Sequence, residues 1–234
     1  MTKILCLESS SEACSVALCS GEEQLYKIHT QARQHAQVFL PLVDELLAEA
    51  GVPLSQLDAI GFGCGPGSFT GVRICLSITQ GLAMGADLPV LPISTLQALA
   101  CAAEASGVAG NNDRVMAALD ARMNEVYFAV YQLTGQMPKL LDAEAVLPVT
   151  EAASWLPEQQ GVAVGSGWQY EALVGRLTGS HFPELTVSAL DILRLARLSW
   201  QQGAALPVES VTPVYLRDEV TWKKREPIRQ STLK

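Results

Sequence analysis

Charge is scarce in this chain, aromatic residues scarcer, and histidine almost missing. Charged residues make up 17% and aromatic residues 6% of 234 positions, with 3 histidines. His29, His35 and His181 form no H-x-x-x-H or H-E-x-x-H pattern, so neither a histidine metal site nor a zinc-peptidase helix is expected. No serine sits in a G-x-S-x-G elbow, and no histidine is spaced to serve one. Cys6, Cys14, Cys19, Cys64, Cys75 and Cys101 include no C-x-x-C, which removes zinc spacing and the framework of a small secreted domain. Most of them lie in apolar segments, where a free thiol behaves as a small hydrophobe, and a reducing cytoplasm is the expected compartment. No apolar run is long enough to cross a membrane without polar interruption. The apolar part of Met1–Glu8 is too short for a signal peptide.

What charge there is favours acid. The net charge of −8 argues against broad contact with nucleic acid, whose binding rests on cations facing phosphate. The exception is the end of the chain. From Trp222 to Lys234, five basic residues stand against Glu226, a local charge of +4. This basic tail, 218–234, is read as a solvated terminus, with contact to RNA as the alternative.

Hydrophobic periodicity divides the rest. Ile4–Leu7, Cys14–Cys19 and Leu25–Ile28 read as three strands, followed by a helix from about Gln34 to Ala50 that ends at Gly51 and Pro53. A strand at Ala59–Cys64 leads through the glycine-rich stretch Gly65–Gly71 into an apolar helix, Val72–Gly85. Leu88–Ile93 is a strand, and Ser94 caps a helix through Ala103. Gly107–Asp113 is a linker, after which the order restarts. Val115–Leu119, Glu125–Tyr131 and Leu140–Leu147 are extended, Thr150 caps a short helix, Gly161–Gly165 is a strand, and Gly167–Leu177 and Leu190–Gln202 are helices. Strand, strand, strand, helix, strand, helix thus occurs twice. The expected fold is α/β of the actin-like ATPase plan, two ribonuclease-H-like subdomains at 1–108 and 109–217, the second trimmed.

In that plan a nucleotide sits between the halves, and Ser9, Ser10, Gly67, Ser68 and Thr70 are where a phosphate loop would lie. Helix N-termini and free N–H groups attract anions. Against this, the first turn has no glycine and carries Glu12, and the second loop has no P-loop lysine. A remnant loop is the reading kept, and Arg73 is expected to pair with an internal carboxylate such as Asp58 or Asp120. Asp120 and Arg122 are expected to shape a turn, with a cleft-facing functional pair as the alternative. The firmer signal is packing. The 34–50 and 72–85 helices carry more apolar surface than one sheet needs, and Ser77, Gly81 and Gly85 are small residues spaced four apart. Either another subunit covers this surplus in a four-helix bundle or the chain itself does. The candidate interface residues are Phe39, Val43, Leu46, Ile74, Ser77, Ile78, Gly81 and Gly85.

Ile4–Ser10 with Ser15–Leu18, the string Gly65-Pro66-Gly67-Ser68-Phe69-Thr70-Gly71-Val72-Arg73-Ile74, Ala118–Arg122 with Glu125–Tyr127, and Pro213–Arg217 occur in this order along nearly the whole chain. Together they resemble the TsaB (YeaZ) family. The resemblance implies a non-catalytic role, with no catalytic residue, metal or cofactor of its own, in making threonylcarbamoyladenosine in tRNAs that read codons beginning with A. It implies a heterodimer with the catalytic paralogue TsaD, joined by TsaE, with tRNA met through the complex, and a homodimer when alone. Glu8 stands where many relatives have Asp, and Cys75 where many have Gly. An independent actin-like ATPase or phosphotransferase is the alternative.

Overall fold

The computed structural model describes residues 1–31, 34–156 and 161–217, so the basic tail 218–234 lies outside the described residues. The first half contains β1 (Lys3–Glu8), β2 (Cys14–Ser20), β3 (Glu23–His29), α1 (His35–Ala50), β4 (Ala59–Gly65), α2 (Phe69–Ala86), β5 (Val90–Ser94) and α3 (Thr95–Ala105). The second contains β6 (Arg114–Arg122), β7 (Glu125–Gln132), β8 (Lys139–Leu140), β9 (Ala145–Pro148), α4 (Val149–Trp155), β10 (Val162–Val164), α5 (Glu171–Val174), β11 (His181–Phe182) and α6 (Ala189–Gln201).

Each half builds one sheet, and the two sheets have the same plan. The first runs β3-β2-β1-β4-β5, with the first three strands antiparallel and β4 and β5 parallel to β1. The second runs β8-β7-β6-β10-β11, again three antiparallel strands followed by two parallel ones, with β9 also on β7. This is the ribonuclease-H-like order, duplicated. The second copy is trimmed, since β8 and β11 have 2 residues each and α5 has 4.

Period-2 alternation sends β1 both ways. Leu5 and Leu7 pack under α1 and α2, while Ile4 and Cys6 face α3 and α6. β6 does the same, with Val115 and Ala117 facing α3 and α6, and Met116 and Ala118 facing α4. The layers are therefore α1/α2, sheet, α3/α6, sheet, α4/α5. Ser94 caps α3 as expected, its Oγ accepting from Gln97 N–H at 3.3 Å.

Four expectations are corrected. The extended run Leu140–Leu147 breaks into β8 and β9, both on β7. Thr150 lies inside α4 and does not cap it; the helix begins at Val149, whose N–H goes to Asn124 O. The helix expected over Gly167–Leu177 shrinks, because Trp168 turns into the core and donates its Nε1–H to Met116 O at 3.0 Å. Finally, α6 and the segment after it return to the first sheet, although both were expected with the 109–217 half. The apolar face of α6 (Ala189, Ile192, Leu193, Leu195, Ala196) matches the inner side of β1 and β2. Gly61 lets it come close: a Cβ there would lie 2.9 Å from Ala196 Cβ.

Candidate partner-binding face

The strand-to-helix turn after β4 is shaped by contact with the turn after β1. Ser68 N–H donates to Ser10 O at 2.8 Å, and Ser9 Oγ donates to Gly71 O at 2.9 Å. Two glycines are needed for the approach. A Cβ on Gly67 would lie 2.7 Å from Ser10 Cβ, and one on Gly71 only 1.9 Å from Ser9 O. Ser68 is the N-cap of α2, its Oγ accepting from Gly71 N–H.

The five residues expected as a phosphate loop do come together, but Ser9 and Ser10 are not open to a ligand. Both are buried, the Ser9 hydroxyl is spent on Gly71, and Ser10 N–H donates to Glu8 Oε1. The loops fill one another's space. Glu8 is buried beside them, its Oε2 without a hydrogen-bond partner and occupying the place a Cβ on Gly63 would take. Burial pushes its carboxyl up to about 7, only partly offset by the hydrogen bonds from Ser10. Among the described residues no group of three His, Cys, Asp or Glu is placed to hold a metal ion.

Beyond the turn, α1 and α2 lie side by side on the sheet. Their core faces are used up. Phe39, Val43 and Leu46 are fully buried against β1 and β2, so these three candidates for the partner interface are core residues instead. Val38, Leu42, Leu47 and Ala50 on the same helix are half-buried against the same hydrophobic cluster, while Leu40 meets solvent. The α2 candidates fare differently. Ser77, Gly81 and Gly85 are exposed, and Ile74 and Ile78 are half-buried beside them. A Cβ on Gly81 or Gly85 would meet no atom within 4 Å. The described residues therefore do not bury this helix all round.

Three large apolar side chains lie on α2 or against its exposed face: Phe69 is 61% exposed, Met84 67% and Tyr215 50%. None was among the candidate site residues. The signal for Phe69 was available, because the four-residue spacing of Gly85, Gly81 and Ser77 continues back to Arg73 and then Phe69. Arg73 does not pair with Asp58 or Asp120. Its guanidinium stacks on the Phe69 ring at 3.6 Å, and its Nε–H donates to the Tyr215 hydroxyl at 2.8 Å. Asp120 is engaged elsewhere, with Arg122 at 3.2 Å and the Tyr170 hydroxyl at 2.9 Å, so this pair shapes a turn as expected.

Tyr215 belongs to a segment that crosses between the halves. Val214 N–H donates to Cys64 O at the end of β4, while Arg217 binds Ala121 O and the Glu125 carboxylate on the β6–β7 hairpin. That hairpin turns through three consecutive residues with positive φ, Arg122, Met123 and Asn124. For non-glycine residues this conformation is costly and needs outside support. Arg217 and the Asp120 carboxylate supply it, the latter accepting from Arg122 N–H at 2.8 Å.

Comparison with known proteins places this geometry. Residues 27–221 match the model of the family described as TsaD, tRNA N6-adenosine threonylcarbamoyltransferase. The chain is 43% identical to the tRNA threonylcarbamoyladenosine biosynthesis protein TsaB of Haemophilus influenzae, over 94% of this chain and 96% of that protein. It is 39% identical to TsaB of Escherichia coli, over 95% and 97%. Among solved structures, YeaZ from Pseudomonas aeruginosa superposes with a TM-score of 0.84 at 43% identity, covering 92% of this chain and all of that one.

Proposed function

This chain belongs to the TsaB family of tRNA threonylcarbamoyladenosine biosynthesis proteins, and on that footing we propose that it is a non-catalytic subunit that binds and activates the catalytic paralogue TsaD. The observation that carries this reading is the unoccupied face of α2. Ser77, Gly81 and Gly85 form an exposed small-residue stripe with apolar side chains beside it, and none of the described residues fills the space above the two glycines. A helix meeting that stripe comes close to the α2 backbone and gains dispersion along its length. With α1 and the equivalent helix pair of a paralogue, the arrangement is a four-helix bundle. The match of residues 27–221 to the TsaD family model supports a partner of the same architecture. The same face supports a homodimer when TsaD is absent.

TsaE joins this pair, and tRNA meets the complex rather than this acidic chain. The cytoplasm, where tRNA is modified, is the compartment this role requires; among the described residues no helix is long and apolar enough to cross a membrane. The spent hydroxyl of Ser9 and the spent N–H of Ser10 support a role without a nucleotide of its own.

Reconstitution tests the role. TsaD, TsaE, threonylcarbamoyl-adenylate and an unmodified substrate tRNA are combined with and without this chain, and modified adenosine is quantified. The expected result is little product without the chain, full product with it, and none from the chain alone. Equal product in its absence, or product from the chain alone, contradicts the proposal.

A further inference from the structure

The stripe on α2 has two chemically different halves. From Ser77 to Gly85 it is small and uncharged. From Phe69 to Arg73 it is aromatic and cationic, and this half is built with more care than a solvated surface requires. Arg73 and Phe69 are an i, i+4 pair on one helix face, the guanidinium carbon lying 3.6 Å over the ring centroid. The Tyr215 ring lies 6.3 Å from Phe69, centroid to centroid, and its hydroxyl accepts the Arg73 Nε–H at 2.8 Å. These contacts fix the guanidinium plane but use only one of its five N–H donors. Among the described residues no carboxylate lies within ion-pair distance of Arg73, Arg114 or Arg176, whereas Arg122, Arg194, Arg197 and Arg217 each have one.

We propose that Phe69, Arg73 and Tyr215 form a preformed anchor that takes a carboxylate from the protein partner at the head of the helix bundle. This rests on the TsaD pairing proposed above and adds what the partner must present there: an Asp or Glu facing the terminal N–H groups of Arg73, bordered by apolar groups against Phe69 and Tyr215. Three considerations lead to this occupant. A guanidinium held in one plane binds a planar carboxylate bidentately and loses little entropy in doing so. Arginine and tyrosine framed by apolar surface are the composition of an interface hot spot. Two observations separate the remaining candidates. Nucleic acid is disfavoured by a chain of net charge −8, and a second copy presenting the same α2 stripe offers no carboxylate from it, since Phe69–Ala86 contains no Asp or Glu.

The test is calorimetric titration of the full chain with its cognate TsaD, at about 50 mM and 500 mM salt, so that screening separates charge pairing from packing. Arg73→Gln is expected to weaken binding roughly tenfold at low salt and much less at high salt. Arg73→Lys keeps the charge but not the fork and is expected to recover only part of the loss. Tyr215→Phe frees the guanidinium and is expected to cost a few-fold. Because all three side chains are at the surface, unchanged thermal unfolding verifies each variant.

Arg73→Gln binding within about twofold of the wild type, beside a Gly81→Leu control that does not bind, overturns the anchor and leaves the TsaD pairing standing. No binding by the wild type overturns the pairing itself, and the anchor with it. Sedimentation of the variants and tRNA titration of the assembled complex cover the other occupants. A loss confined to self-association, or to tRNA affinity, with TsaD binding intact, likewise overturns the proposal.

Discussion

Glu8 carries one used oxygen and one unused. Oε1 accepts the Ser10 N–H, while Oε2 is buried without a partner against Gly63. Cys64, Cys75 and Asp191 are the ionisable groups that bear on it, none of them a cation. Its pKa is raised to about 7 in the folded chain, above its ordinary value of 4.5. The folded state therefore holds a proton between those limits that the unfolded state has lost. Stability from this group is present at low pH and lost as pH rises through 7, the reverse of an ion-paired acid, by about 2 kcal/mol between pH 5 and 8. Asp191, also raised by burial, adds in the same direction. Glu8→Gln should flatten the slope of unfolding free energy against pH; an unchanged slope would place the titration elsewhere. The family resemblance marked Glu8 as a departure from the common Asp, but nothing in the sequence signalled that one of its carboxylate oxygens is unpaired. The stripe of Ser77, Gly81 and Gly85 was legible by counting fours. Arg73 was not, since its partner Tyr215 is 142 positions away, beyond any local spacing rule.

Among the elements, α2 was legible as a helix, though it begins at Phe69 and not at Val72, and it was misread in one further respect. An all-round apolar pattern predicts burial on every side, yet none of the described residues covers the face of Ser77, Gly81 and Gly85. α1 was misread in the opposite direction. Phe39, Val43 and Leu46 looked like surplus, but two hydrophobic clusters share the first sheet and this one needs all three. α5 was overestimated because the pattern over Gly167–Leu177 does not reveal that Trp168 must turn inward to reach Met116. The open space around Gly81 leads to a test at this scale. Gly81→Ala has room for its methyl and should stabilise the isolated chain by about 0.5–1 kcal/mol through helix propensity alone. If α2 is a close-packed bundle helix, the same variant binds TsaD more weakly than the wild type does. Denaturant unfolding and titration, run together, give opposite signs for a contact glycine; a stabilised variant with unchanged affinity argues that no helix packs there.

The duplicated sheet order was readable across the whole molecule, because six expected elements recur in the same succession. The return of α6 and the crossing segment to the first sheet was not readable, since no local pattern says which sheet a helix will cover. That return links the halves. The segment from Val211 to Arg217 holds the end of β4, the head of α2 and the β6–β7 hairpin together. Arg217→Ala should cost about 1–2 kcal/mol, the worth of a charge-assisted hydrogen bond discounted for partial exposure. Unfolding midpoints check this, and hydrogen exchange at Ala121–Glu125 should rise with it. No change in either would show that the hairpin stands without the segment.

The central claim is that the free face of α2 meets TsaD. Titration of the wild-type chain and of Gly81→Leu into TsaD tests it most directly, since the leucine has room in the isolated chain and none in a close helix contact. The account predicts one-to-one binding for the wild type and, at an unchanged melting temperature, affinity at least ~100-fold weaker for Gly81→Leu. Equal binding by the two proteins would contradict it.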